Sequence, residues 1–118
     1  MPPLTDPERL RCYRNALANW RCGVGFVDFG ERARGWLRHA FPVYGEPELA
    51  RMLFEHVKAG GEIDEQVETR EEWSQHEFHH DLRVRIRGRL IYFETRLIYR
   101  DPNDPDDPRI EVVNAHDA

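Results

Sequence analysis

Lysine is almost missing from this chain. Of 17 basic residues only Lys58 is a lysine, so positive charge is carried by arginine. Arginine offers planar, bidentate recognition of phosphate or carboxylate, although a GC-rich genome would produce the same bias along the whole chain. Cysteine is scarce too. Cys12 and Cys22 are too few for a disulfide scaffold and lack the C-x-x-C spacing of a zinc site. They read as reduced thiols in a cytoplasmic protein. No apolar run approaches the roughly 20 residues of a membrane span, so no membrane role is expected. Met1 to Asp6 has neither a basic region nor an apolar stretch and does not read as a signal peptide. Gly23-Val24-Gly25 does not complete a dinucleotide-binding G-x-G-x-x-G. The acidic run from Asp101 to Asp107 lacks the spacing and closing Glu of a calcium loop.

What remains is enough for a folded core. Apolar residues make up 40% of 118, with 11% aromatic, which excludes global disorder. The length fits one domain, 1–118, with about 1–60 helical and 61–118 forming a sheet. The net charge of −5 is unevenly spread. Residues 61–72 are acidic, 79–100 are arginine-rich and 101–108 are acidic again. An acidic protein is a poor general binder of DNA duplexes, but a local arginine field can hold one anionic ligand.

Periodicity predicts three helices. The first covers 6–20, with Thr5 and Glu8 as a capping box, Pro7 in its first turn, and Leu10, Tyr13, Leu17 and Trp20 as its apolar stripe. The second covers 29–40, capped by Asp28, with Phe29, Ala33, Trp36, Leu37 and Ala40 facing inward and Pro42 beyond its end. The third covers 46–58, with Leu49, Met52, Leu53 and Val57 inward and Gly60-Gly61 as its stop.

After Gly61 the period becomes two. Residues 63–69 alternate as a strand, and Glu71 to Gln75 form a turn bearing Trp73. Residues 82–87 and 90–99 form a hairpin turning at Gly88. The proline-rich stretch from Asp101 to Pro108 is a stiff exposed loop, and 110–115 make a last strand. The fold class is therefore α+β, with two to three N-terminal helices packed on one face of a small antiparallel sheet. Trp36, Leu53, Val84, Ile86 and Phe93 are expected to be buried.

A two-residue hairpin loop directs Leu82, Val84, Ile86, Ile91, Phe93 and Leu97 toward the helices. The opposite face then gathers His79, Asp81, Arg83, Arg85, Arg87, Tyr92, Glu94 and Arg96. Arg83, Arg85 and Arg96 are the candidate phosphate ligands. Tyr92, Glu94, His79 or His116 are the candidates to move a proton, His116 standing at the edge of this face if the last strand pairs beside the hairpin. The same face also reads as a solvated surface of cross-strand ion pairs. His79 and His80 point to opposite sides of a strand and cannot share one metal ion.

The order of elements from about 46 to 116 resembles the RelE-like ribonuclease toxins of the motility quorum-sensing regulator (MqsR) type. Trp73 with Gln75 stands near that family's Trp-Gln step. Gly88-Arg89-Leu90-Ile91-Tyr92-Phe93-Glu94 resembles its tyrosine-bearing strand. Val112-Val113-Asn114-Ala115-His116 resembles its last strand, with His in place of the family's Lys. The resemblance implies an endoribonuclease that needs neither metal nor cofactor and cleaves RNA by attack of the ribose 2′-hydroxyl on the adjacent phosphate. An antitoxin or other regulatory protein would be its partner. The alternative expectation is a non-enzymatic module whose arginine face grips an acidic protein.

Overall fold

The structure, a computed structural model, describes residues 2–22, 26–99 and 108–118. Its elements run α1 (Pro7–Ala18), a 3₁₀ turn (Asn19–Cys22), β1 (Val27–Phe29), α2 (Glu31–Ala40), α3 (Glu46–Lys58), β2 (Asp64–Val67), a second 3₁₀ turn (Glu71–Trp73), β3 (Phe78–Ile86), β4 (Arg89–Tyr99) and β5 (Pro108–Asp117). The class is α+β, as expected. The five strands form one sheet in the order β1-β5-β4-β3-β2, and every pairing is antiparallel except that of β1 with β5.

Two helix starts differ from expectation. Asp6, not Thr5, caps α1: its carboxylate accepts the Arg9 amide at 2.9 Å, and Pro7 takes the first helical position. Residues 27–29 are not helical. They are the parallel edge strand β1, and α2 begins after Gly30. Gly30 is required by close approach, since its amide donates to the Val112 carbonyl at 2.8 Å. A Cβ at residue 30 would lie 3.3 Å from that same oxygen. The third helix ends as its glycines predict, with Gly60 at φ 91° and the Gly61 amide on the His56 carbonyl at 2.8 Å.

The hairpin turns at Arg87-Gly88, both at positive φ (49° and 78°), as a tight two-residue loop demands. The pairing that follows sets Val84 opposite Ile91 and Leu82 opposite Phe93. These four join Leu17, Leu37, Leu53, Ile110 and Val112 in one buried core between the helices and the sheet. Trp36 is an exception to the expected core. It is only partly buried, with the edge of Phe41 beside it and the Arg89 guanidinium over its ring. Pro108 opens β5 opposite Tyr99, at a strand-start position where proline is tolerated. The rest of the expected loop, 101–107, lies outside the described residues.

The last strand contains the irregularity that decides the site. Asn114 pairs with Glu94, but Val112 pairs with Thr95, so Val113 is an extra residue bulged out of the ladder. Ile110 and Val112 face the core. Simple alternation from them would send Asn114 and His116 into the core as well. The bulge reverses the sides, placing Ala115 against the core and Asn114 and His116 on the outer face.

Candidate functional site

Strand pairing arranges the outer face in rows. Arg83, Tyr92 and His116 are direct neighbours across β3, β4 and β5. One row along, Asp64, Asp81, Glu94 and Asn114 are neighbours across β2 to β5.

The first row and its surroundings form a continuous array. The Tyr92 and His116 rings stack with centroids 4.8 Å apart and planes 26° from parallel. The Arg83 guanidinium carbon lies 6.0 Å from the Tyr92 centroid, and Arg83 also pairs with Asp64 at 2.5 Å. Asp81, buried beneath them, accepts from His79 Nδ1 at 2.9 Å, and its charge acts on the Tyr92 phenol. Burial first, then the Asp81 charge, pushes the Tyr92 phenol well above its ordinary range. Tyr92 serves here as the stacking platform for His116.

Both histidines of the face are oriented. A carboxylate or a carbonyl can only accept from an imidazole, so the ring nitrogen bonded to it carries the proton. His79 Nδ1 meets the Asp81 carboxylate, and His116 Nδ1 meets the Asp117 carbonyl at 2.8 Å. In both rings Nε2 is left with the lone pair, the arrangement a general base requires. His116 is exposed and His79 partly so. Arg85 is exposed as well, with one guanidinium nitrogen on the Gly88 carbonyl.

Two predicted site residues leave the open face. Arg96 is 0% exposed. Its guanidinium meets Glu68 at 2.5 Å and Glu94 at 2.9 Å, with Trp73 covering it at 4.9 Å. Arg70 bonds the same two carboxylates. Burial would raise the Glu68 carboxyl, but Arg70 and Arg96 hold it at about 2. Against burial, the same two arginines keep Glu94 below its usual range. Glu94 and Arg96 are thus held in internal ion pairs, although Arg96 Nε is buried without a partner. The physical reason is that the segment from Glu68 to Trp73 folds over one end of the sheet, and sequence spacing does not reveal that.

Three participants were not singled out from sequence. Asp81 accepts from His79, a role that its i, i+2 spacing from His79 on one strand face made available. Asn114 reaches the face only through the bulge. Arg70 sits outside the arginine-rich stretch. His80, as expected, lies on the opposite side from His79, beneath α1 against Tyr13. Among the described residues no group of three or more His, Cys, Asp or Glu side chains is placed to hold a metal ion, and no helix is long and apolar enough to cross a membrane. No protein-family model matches the chain, and no match was found among curated proteins or solved structures.

Proposed function

We propose that the outer sheet face is the catalytic surface of an endoribonuclease that cleaves single-stranded RNA without a metal. The observation that carries this reading is the row Arg83–Tyr92–His116 across three strands, with the Tyr92 and His116 rings stacked and His116 anchored through Nδ1. His116 Nε2 takes the proton of a ribose 2′-hydroxyl, whose oxygen attacks the adjacent phosphorus. The departing 5′-oxygen takes its proton from solvent water, while His79, two rows along β3 from Arg83, holds Asp81. The products are a 2′,3′-cyclic phosphate and a free 5′-hydroxyl. Arg83 and Arg85 offset charge on the phosphate. The Arg83–Asp64 pair uses one guanidinium nitrogen of a group with five N–H donors. The half-buried Tyr92 and its stacked imidazole form a platform for an unpaired base. An overall charge of −5 disfavours long duplexes.

A second reading has its own support. Arg85, Arg87 and Leu90 are exposed around the hairpin turn, a surface suited to an acidic protein partner such as an antitoxin or another regulator. Induced expression in a bacterial host separates the two. The ribonuclease predicts growth arrest with fragmented total RNA, both abolished by His116→Ala. Normal growth and intact RNA in cells holding abundant folded protein would leave the binding module.

A further inference from the structure

Beside the array, the outer face holds a cavity of about 310 Å³, at the small end of the range for ligand sites, roughly 300–1,000 Å³. Its walls come from four separate parts of the chain: Arg32 of α2, Arg70, Glu72 and Trp73 of the segment over the sheet, and Glu111 and Asn114 of β5, with Glu94 beneath. None of these groups except Glu94 belongs to the predicted site, and the cleavage chemistry uses none of them.

The composition fits a nucleobase. Trp73 is partly buried and lines the cavity, with Arg96 over one face of its ring, and unpaired bases are held by stacking on such rings. Asn114 accepts the Ala115 amide through Oδ1, which leaves its NH₂ to donate. Glu72 and Glu111 supply carboxylate acceptors, and Arg32 supplies a donor fork. Guanine is the base that matches this set. Its N1–H and exocyclic NH₂ present two adjacent donors to one carboxylate, while O6 and N7 are paired acceptors for Arg or Asn. Adenine, cytosine and uracil do not offer that pair of adjacent donors beside an acceptor edge.

Placement agrees with composition. Asn114 and Glu94 stand one row from His116 and Tyr92 on the same face. That is two residues along each strand, or about 7 Å, comparable with the reach of a single nucleotide from its phosphate to its base.

We infer that this cavity is a guanine subsite, set one nucleotide from the phosphate that the ribonuclease reading places over Tyr92 and His116. It rests on that reading but is measured without cleavage. Calorimetric titration of the full chain with GMP, AMP, CMP and UMP should show GMP binding about tenfold or more tighter than the others, the discrimination of one good bidentate contact. Glu72→Gln or Asn114→Ala should remove most of that preference; Glu72 is exposed, so its substitution leaves the fold alone. Equal affinity for all four nucleotides, or a guanine preference that survives in both variants, overturns the inference. RNA cleavage without guanine preference removes the subsite alone. Guanine preference in a protein that cleaves no RNA removes the ribonuclease reading and leaves the subsite standing.

Discussion

His116 stacks on Tyr92 across the β4–β5 pairing, ring on ring at 4.8 Å, and it does so because Val113 is bulged out of the ladder. This contact joins a residue two places from the end of the chain to the middle of the hairpin face.

The first prediction concerns Val113. Deleting it restores plain alternation, which turns Asn114 and His116 toward the core or shifts the strand by one residue. Chemical denaturation should show a loss of at least about 2 kcal/mol, the cost of an unsatisfied buried polar group. Val113→Ala keeps the bulge and should change stability by less than about 1 kcal/mol. A deletion variant as stable as the wild type would mean that the bulge does not set the face.

A second prediction follows from the ion-pair network. Arg96→Met leaves Glu68 and Glu94 nearly buried with only Arg70 between them. The expected loss is about 3–5 kcal/mol by urea titration, toward the lower end because Arg70 remains. A loss below about 1 kcal/mol would show that the segment from Glu68 to Trp73 does not depend on Arg96.

His80 predicts a pH dependence. Burial lowers its pKa from the ordinary 6.5, with Glu65 acting in the opposite direction. The folded-state value therefore lies below the unfolded one. As pH falls through 6.5 the unfolded chain takes up a proton that the folded chain refuses, so stability is present above that pH and lost below it. The slope contributed by this one group is at most about 1.4 kcal/mol per pH unit. Melting temperature should drop between pH 7 and 5 in the wild type and vary less in His80→Gln. Equal slopes would assign the dependence to other groups.

The hairpin tip gives a fourth prediction. Gly88 holds φ at 78° with nothing near its missing side chain, so Gly88→Ala meets backbone strain and no steric clash. The expected cost is about 1–2 kcal/mol. A neutral effect in thermal unfolding would mean that the turn relaxes to another type.

Most of the fold could be read from the chain because its signals are local. Gly60-Gly61, Pro7 and the alternation of Leu82, Val84 and Ile86 each specify their own neighbourhood, and the two-residue turn then fixes which hairpin residues share a face. The parallel strand Val27–Phe29 could not be read that way. Three residues carry no period, and their partner lies more than eighty residues on. The site was legible as a face but not as a surface. His79, Arg83, Arg85 and Tyr92 lie on the side that alternation predicts. Glu94 and Arg96 do too, yet the segment bearing Arg70 and Trp73 covers them, a long-range event with no periodic trace. The bulge at Val113 is similarly silent, because Ile110-Glu111-Val112-Val113 reads as an ordinary strand.

The most direct measurement is cleavage of a single-stranded RNA by the purified chain in excess EDTA, with fragment ends identified by mass. The ribonuclease reading predicts fragments bearing 2′,3′-cyclic phosphates. It also predicts a rate lowered about 10²–10⁴-fold in His116→Ala, the usual contribution of a general base, with an unchanged melting temperature. RNA left intact by a molar excess of folded protein, or a His116→Ala variant cleaving at the wild-type rate, would contradict it.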